Sequence, residues 1–471
     1  MDIEDIIKDT EAYRDSIGTI REDGKRNFLH PKKPKGKFYN RRTIVATILL
    51  TLLFVLPFIK VNGHALCLFN VLERKFILFG LVFWPQDFNL FVLAAISGVV
   101  FIMLFTVAFG RVWCGWACPQ TIFMEMVFRK IEYWLEGDYG QQKKLNKMPW
   151  NAEKIRKRGL KLVIFYIISF LIANIFLAYI IGSDALIEII TDNPSKHVSG
   201  LIAIVVFSSI FFFVFVWFRE QACIVVCPYG RLQGVLLDKK SIQVSYDYIR
   251  GEDRGRFRKN EDREATGKGD CIDCSLCVAV CPTGIDIRNG SQLECVNCTA
   301  CIDACDSVMH KVNKPKGLIR YASEENIAEK KPFTFNTRMK AYTIVLSILL
   351  IALFGFLGTR SDVEFSMLRV PGQLYQRHEG DSISNLYNYK FINKTYDELP
   401  VRIELIEPEG RILFIGETKE MLEGQGAGEG TMFIYLSEEI LTGRKTKIKI
   451  GLYSGDRMIE SVRTNFNGPV K

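Results

Sequence analysis

The sequence lacks the signatures of several common redox cofactors. It contains only five histidines in 471 residues, and all five fall outside the segments that are apolar enough to span a membrane. A membrane haem with two histidine ligands is therefore unsupported. There is also no C-x2-C-H sequence for covalent haem attachment and no G-x-G-x-x-G sequence for a dinucleotide. If the chain carries electrons, it must receive them from a partner protein.

Cysteine, in contrast, is concentrated in one place. Of the thirteen cysteines, eight lie within residues 271–305, in two copies of C-x2-C-x2-C-x3-C. Bacterial ferredoxins bind two [4Fe–4S] clusters with this spacing, and the fourth cysteine of each run ligates the other cluster. The predicted ligands are Cys271, Cys274, Cys277 and Cys305 for cluster 1, and Cys295, Cys298, Cys301 and Cys281 for cluster 2.

Paired zinc knuckles or a disulfide knot are the alternatives for this segment. Zinc sites join C-x2-C pairs through longer loops and do not need a closely spaced third cysteine. Pro282 follows Cys281, as expected where the chain turns away between the two halves, although Asp306 follows Cys305 in the second run. Because clustered C-x2-C pairs would oxidise in an oxidising compartment, this ferredoxin-type module is expected in the cytoplasm.

Apolar segments predict a membrane protein, and hydrophobic residues make up 48% of the sequence. Residues 76–84 are apolar but too few to span, and Pro85 follows them, so an interfacial or re-entrant piece is expected there. Residues 1–42 are polar and basic and do not resemble a secretory signal peptide. The predicted crossings are residues 43–59, 90–109, 160–181, 201–218 and 341–358.

The formal net charge of +9 comes from Lys and Arg beside the apolar segments, which indicates membrane orientation and no nucleic-acid partner. The tail and residues 110–159 and 219–340 are rich in both, whereas residues 60–89 and 182–200 are poor in both. Positive charge therefore places the tail and the cysteine-rich segment on the cytoplasmic side. The redox argument gives the same side independently.

Residues 361–471 have alternating apolar and polar runs separated by turn signals about every ten residues, which predicts an immunoglobulin-like β-sandwich outside the membrane. The expected fold is a multi-domain membrane protein, an α-helical bundle of five transmembrane helices with an inserted ferredoxin-type module. The predicted parts are a cytoplasmic basic tail (1–42), four membrane helices (43–240), a cytoplasmic module with two [4Fe–4S] clusters (241–340), a fifth membrane helix (341–358) and a periplasmic immunoglobulin-like domain (361–471).

The second and fourth apolar segments both end in a C-x3-C-P motif. The paired cysteines are expected to stack on one helix face, and the residue before each proline is expected at a helix N-cap. A lone cysteine at a membrane edge is usually a small apolar residue, and Cys67 is taken as structural, but the repetition favours a redox or metal role. Soft thiolates suit Cu(I) or another cluster. The candidate thiols are Cys114, Cys118, Cys223 and Cys227.

Several stretches together resemble the cytochrome c oxidase accessory proteins of the CcoG/FixG family. They include G-R-V-W-C-G-W-A-C-P-Q-T at 110–121, R-E-Q-A-C-I-V-V-C-P-Y-G-R-L-Q at 219–233 and C-P-T-G-I-D-I-R-N-G at 281–290. The resemblance covers nearly the whole chain. It implies a copper reductase of the bacterial inner membrane that serves assembly of the cbb-type cytochrome oxidase.

That resemblance also implies roles for the cysteines. The eight clustered ones would relay electrons through two [4Fe–4S] clusters, and the four C-x3-C-P cysteines would handle copper as a substrate. The expected partners are the cbb-type oxidase or its assembly factors and an unknown cytoplasmic electron donor. Two alternatives remain: a quinol dehydrogenase similar to NapH-type polyferredoxins, and an assembly scaffold whose clusters are structural.

Overall fold

The computed structural model describes residues 19–20, 25–258, 263 and 265–469, except residues 62, 72, 73, 373, 379, 380 and 417–420. The chain divides into two compact units. One contains Met1–Ala65 and Leu93–Leu350, and the other contains Leu66–Val92 and Ile351–Lys471. Much of the predicted basic tail, residues 1–42, lies outside the described residues.

Five helices among the described residues are long and apolar enough to cross a membrane, which agrees with the predicted number of candidate spans. Each begins before its predicted first residue, and in the first, third and fifth helices the added residues include Lys or Arg, whose long side chains can reach beyond an apolar layer. Their outward faces are apolar, as for Ile351, which is 73% exposed. The five membrane helices are Lys37–Phe58, Phe88–Phe109, Ala152–Ile181, Val198–Phe218 and Thr337–Gly358.

The third and fourth membrane helices pack against each other through an aromatic core. Phe128 contacts both Phe165 and Phe215, with ring centroids 4.7 and 4.6 Å apart. All three rings are at most 1% exposed. Since Phe128 belongs to the segment that follows the first C-x3-C-P motif, this core fixes that segment against the membrane helices.

Shorter helical pieces connect these helices and build the cysteine-rich module. The α-helices are Val112–Trp116, Pro119–Ile122, Arg129–Leu135, Tyr139–Lys147, Ser183–Thr191, Pro228–Leu236, Tyr248–Gly251, Leu276–Ala279, Ala300–Lys311 and Glu324–Glu329. The π-helical segments are Phe123–Phe128, Val214–Phe218 and Ala222–Val226. The 3-10 segments are Leu56–Phe58, Pro85–Asp87, Pro194–Lys196, Ile287–Asn289 and Glu438–Ile440.

The cysteine-rich module is held together by a two-stranded antiparallel sheet. Its strands, Gln243–Tyr246 and Ile319–Ala322, pair with Tyr246 opposite Ile319. Side chains from both strands enter one apolar core with Met309 and Leu318, which are 2% and 1% exposed. The sheet therefore closes the module at its two chain ends, while the cysteine runs lie between them.

One residue of this module also holds the start of the first membrane helix. The Asp303 carboxylate accepts hydrogen bonds from the backbone N–H groups of Phe38 (3.1 Å) and Tyr39 (2.7 Å). Backbone N–H groups in the first turn of a helix have no partner within the helix, so a carboxylate there satisfies them and interacts favourably with the helix dipole. The module and the first membrane helix are thus joined by a buried cap.

The second unit contains a β-sandwich, as predicted. One sheet has the order Arg411–Ile415, Ala427–Ser437, Ser382–Asn393 and Val363–Arg369, with Gln376–His378 also paired to Ser382–Asn393. The other has the order Arg402–Glu407, Lys445–Ser454 and Arg457–Asn467. Alternate residues of both sheets fill the core, where Tyr387, Met432, Ile450 and Phe466 are all 0% exposed. Short paired strands elsewhere are Lys60–Val61 with His64–Ala65 and Leu399–Pro400 with Met421–Leu422.

The prediction of an interfacial or re-entrant membrane piece at residues 76–84 is corrected, because these residues form a β-hairpin. The segment forms two strands of a three-stranded antiparallel meander, Cys67–Asn70, Lys75–Leu78 and Leu81–Phe83. Phe79 and Gly80 both have positive φ (52° and 80°), as a two-residue hairpin turn requires. A short apolar run alone does not distinguish a strand from a buried helix. Here the turn at Phe79 and Gly80 reverses the chain, so the run forms two paired strands.

Candidate electron-transfer site

The eight clustered cysteines line two cavities. The Cys274 cavity is lined by the cysteines Cys271, Cys274, Cys277 and Cys305. The Cys298 cavity is lined by the cysteines Cys281, Cys295, Cys298 and Cys301, and Cys277 also lines it. Each predicted ligand set thus lines one cavity, and the assignment of ligands to clusters stays a prediction.

The two runs curl around their cavities in the same way. Asp273 and Asn297, each directly before the second cysteine of a run, have positive φ (50° and 52°). Ser275 and Thr299, each directly after that cysteine, also have positive φ (52° and 66°). This conformation is unusual for residues other than glycine, above all for a β-branched threonine. Its recurrence at matched positions indicates two copies of one loop that wraps around a bound group.

The donor set fits an iron–sulfur cluster better than a single ion. Within the described residues, no three His, Cys, Asp or Glu side chains form a group that could hold one metal ion. Thiols that surround a cavity suit a four-iron cluster, whereas zinc needs four ligands converging on one point. Burial raises the pKa of Cys277, Cys295 and Cys305 to about 12. Binding iron must therefore displace thiol protons.

Hydroxyl groups contact cysteines in both cavities. The Thr283 hydroxyl lies 3.3 Å from the Cys281 sulfur. The Tyr246 hydroxyl contacts the Cys271 sulfur and donates to Glu252 (3.2 Å), and burial raises the pKa of Tyr246. Hydrogen bonds to ligand sulfurs are one of the factors that set cluster potential. Each cavity therefore has its own candidate tuning residue.

The structure confirms part of the C-x3-C-P prediction and corrects another part. Cys118 and Cys227 are helix N-caps, each followed by proline at the first helical position. Stacking of each cysteine pair on one helix face is wrong, because the helix breaks between them. Both residues have extended backbone (ψ 125° and 112°), since the residue before a proline avoids the α conformation. Cys114 and Cys223 lie in the preceding helical turns.

The four C-x3-C-P cysteines, here called the membrane-edge thiols, lie close enough together to interact electrostatically. Burial raises the pKa of Cys114 to about 11 and that of Cys223 to about 12, and the neighbouring thiols add to both effects. The Gln233 side chain, which is fully buried, lies with its amide nitrogen 3.5 Å and its amide oxygen 3.6 Å from the Cys114 sulfur. The structure thus brings residues of both motifs into one neighbourhood.

Sequence reasoning missed the role of the arginine that precedes each motif. The Arg111 guanidinium, 5% exposed, donates to the backbone carbonyls of Leu293 and Gly230. It therefore joins the first motif to the second motif and to the second cysteine run. A signal was present, because an arginine three or four residues before each motif is unexpected beside an apolar segment.

Arg219, the second of these arginines, belongs to a buried network of charges. It forms a bidentate ion pair with Glu132, at 2.8 and 2.9 Å. Burial opposes ionisation of Glu132, but Arg219 and Lys161 outweigh it and lower the pKa of Glu132 to about 2. Arg129, 1% exposed, pairs with Glu125 and Glu220 in the same network. Opposite charges compensate one another here, which holds the segments around both motifs together.

Apolar membrane helices, paired thiol-lined cavities and a separate β-sandwich define an integral membrane iron–sulfur protein with electron-transfer chemistry. Three family models match the chain. A 4Fe-4S dicluster domain matches residues 218–324, a 4Fe-4S binding domain matches residues 91–140, and the IG-like fold at the C-terminus of FixG matches residues 353–469.

Comparisons with individual proteins then identify the particular family. Protein RdxB of Cereibacter sphaeroides is 35% identical over 79% of this chain and 80% of the relative. Protein RdxA of the same species is 33% identical over 80% and 81%. The nitrogen fixation protein FixG of Rhizobium meliloti is 35% identical over 64% of this chain and 59% of the relative. The chain belongs to the FixG family, which confirms the resemblance seen in the sequence.

Proposed function

We propose that this protein reduces Cu(II) to Cu(I) at the membrane and thereby supports assembly of a cbb-type cytochrome c oxidase. The observation that carries the proposal is the junction at Arg111, which joins a thiol-lined cavity to two motifs that supply four further thiols. When bound, [4Fe–4S] clusters exchange single electrons, commonly at low potential. One electron converts one Cu(II) to Cu(I), and a one-electron donor protein in the cytoplasm replaces it.

The residues proposed for copper are the membrane-edge thiols. Thiolates are soft ligands and favour Cu(I) over harder ions, so they retain the product of the reduction. Because burial raises the pKa of Cys114 and Cys223, copper must displace their protons to bind. The eight cysteines of the two cavities are the proposed cluster ligands.

The proposed topology follows from charge and from the number of crossings. Five crossings put the two chain ends on opposite sides, and the Lys- and Arg-rich segments on either side of the cysteine runs favour the cytoplasm for the module. The β-sandwich is then periplasmic, where it is proposed to dock the oxidase or its assembly factors. The boundaries proposed for these parts are those predicted above.

The direct test uses purified full-length protein. After reduction by dithionite and removal of excess reductant, it should convert Cu(II) to Cu(I), measured with a Cu(I)-specific chelator. A double variant, Cys114→Ser with Cys118→Ser, should lose most of this activity and keep its iron. Cys67→Ala, in the second unit, is the control. Unchanged copper reduction in the double variant would remove the assigned role of these thiols.

A second candidate, oxidation of membrane quinol, rests on a third cavity. Its lining includes Cys223, the carboxylate-bearing residues Glu125 and Glu220, and Pro282 and Thr283. A quinol headgroup there would release two electrons and two protons, and carboxylates are suitable proton acceptors. Bleaching of the clusters' visible absorption by a quinol analogue, without added reductant, would favour this candidate.

A further inference from the structure

The Cys274 and Cys298 cavities differ in the residues that surround them. The first difference is that Gly115 contacts the loop of the Cys298 cavity. This glycine lies between the two cysteines of the first C-x3-C-P motif. A Cβ atom placed on it would lie 2.5 Å from the carbonyl oxygen of Val296 and 2.7 Å from that of Asn297. Real Cβ atoms do not approach oxygen so closely, so only glycine fits without backbone movement. The motif thus touches the loop between Cys295 and Cys298.

Further contacts hold this junction in place. Arg42 donates from Nε to the carbonyl of Gly115 (2.6 Å). Trp116 donates from Nε1 to the Tyr321 hydroxyl (3.0 Å), which in turn donates to the carbonyl of Asn297 (3.4 Å). Arg111 adds its bond to Leu293. Arg111, Trp116 and Tyr321 therefore position the first motif against the second cysteine run, while Arg42 joins this motif to the first membrane helix.

The second motif reaches the same side of the module. The cavity lined by Cys223 is also lined by Pro282, Thr283 and Val296 of the module. A Cβ on Gly234 would lie 2.7 Å from the Leu293 side chain, so the helix that follows the second motif also packs against this run. In contrast, Cys274 is exposed to solvent.

We propose that the Cys298 cavity is the one that delivers electrons to the membrane-edge thiols, across the contact between Gly115 and Val296, and that electrons from a soluble donor arrive at the Cys274 cavity. Gly115 is a positioning residue in this inference, which rests on the proposed copper reduction. The electron that leaves reduces one Cu(II) to Cu(I), and a cytoplasmic one-electron donor protein or, in vitro, dithionite supplies it. Electron transfer slows steeply as the gap between two centres widens, so the closeness of this contact sets the rate.

The first test compares Gly115→Ala with Gly140→Ala in the full-length protein. Gly140 is also helical, and a Cβ there would meet nothing within 4 Å. Gly115→Ala should keep its iron, sulfide and reduced EPR signals but be reoxidised by Cu(II) on the order of tenfold or more slowly, since a displacement of about 1 Å at a reacting site can cost 100-fold. Reoxidation by ferricyanide, which can react at the exposed Cys274 side, should be unchanged. Equal slowing with both oxidants, or none, would overturn the inference.

A second measurement needs no copper. A nitroxide on Cys118, in a background lacking the other membrane-edge thiols and Cys67, should relax faster when the clusters are reduced. This enhancement should persist in Cys274→Ser and disappear in Cys298→Ser. The reverse pattern would overturn the assignment of the Cys298 cavity. Failure of the wild-type protein to reduce Cu(II) would remove the proposed function alone, because the nitroxide result does not depend on it.

Discussion

The Cys274 and Cys298 cavities are copies in their loops and different in their surroundings. Both are lined by four proposed ligand cysteines and place left-handed residues on either side of the second cysteine of a run. The Cys274 cavity has an exposed cysteine and a tyrosine hydroxyl, whereas the Cys298 cavity has a threonine hydroxyl and is covered by Gly115 and Arg111. The repeated loop determines what each cavity can bind. The residues around each cavity determine which electron donor or acceptor can approach it.

The largest effect that separates the cavities should come from replacing one ligand in each. Cys298→Ser and Cys274→Ser should each lose roughly half of the iron, since each of these cysteines is a proposed ligand of only one of the two clusters. With dithionite as reductant, Cys298→Ser should lose copper reduction, while Cys274→Ser should keep most of it. Iron analysis and the Cu(I) chelator assay measure both.

The same pair of variants addresses the scaffold alternative. If clusters have only a structural role, variants that still insert stably should retain oxidase assembly in cells. Loss of assembly in stably inserted Cys298→Ser protein would contradict that role.

Removing the arginine beside each cavity should give a smaller, local effect. Arg111→Gln loses two buried hydrogen bonds from a charged donor, worth about 3 to 6 kcal/mol together. Arg288 pairs with Asp286 and with the half-exposed Asp273, so Arg288→Gln should cost less. On challenge with an iron chelator, Arg111→Gln should release iron from the Cys298 cavity first, and Arg288→Gln from the Cys274 cavity, as followed by the two EPR signals. Equal release of both signals in either variant would argue for general destabilisation.

Removing a hydroxyl that contacts a ligand sulfur should shift cluster potential without loss of iron. Thr283→Val should lower the potential of the cluster in the Cys298 cavity, whereas Tyr246→Phe, whose hydroxyl proton is donated to Glu252, is the comparison variant and should shift the potential of the cluster in the Cys274 cavity less. A hydrogen bond to a ligand sulfur stabilises the more negative, reduced form, so its loss favours the oxidised form. Redox titration monitored by EPR distinguishes the two signals, and a shift of both signals in one variant would contradict separate tuning.

Truncation at residue 360 should affect neither cavity. It removes the β-sandwich strands, which belong to the second compact unit. Copper reduction and both EPR signals should remain, whereas oxidase assembly in cells should fail if the sandwich docks the partner. A change in either cluster signal would show that the sandwich supports the module directly.

Local patterns predicted much of this protein. Cysteine spacing predicted two sets of four cluster ligands; each set lines one cavity, and the assignment of ligands stays a prediction. Apolar length predicted five helices long enough to cross a membrane, and the C-P steps predicted the N-caps at Cys118 and Cys227, because proline acts on its immediate neighbour. The structure contains these helices and N-caps, and for both the cause is local in sequence.

The parts that escaped prediction depend on distant residues. The fit of Gly115 against Val296 and the bond from Arg111 to Leu293 each join segments about 180 residues apart, and no local pattern specifies such a contact. The break in the helix between Cys114 and Cys118 could have been predicted from the sequence, since Pro119 restricts the backbone of the residue before it. The hairpin at Phe79 and Gly80 was ambiguous because a short apolar run fits either a strand or a helix.

The position of Asp303 in the chain implies that the first membrane helix is synthesised before its cap. The carboxylate that caps the first membrane helix is 265 residues further along the chain than Phe38, so the ribosome completes and releases that helix to the membrane long before its cap exists. Until the helix Ala300–Lys311 has formed, the backbone N–H groups at the start of the first membrane helix can only hydrogen-bond to water. That helix carries Cys301 and Cys305. The same helix therefore supplies two of the proposed cluster ligands and the carboxylate that caps the first membrane helix, so folding of the module and capping of that helix depend on one element.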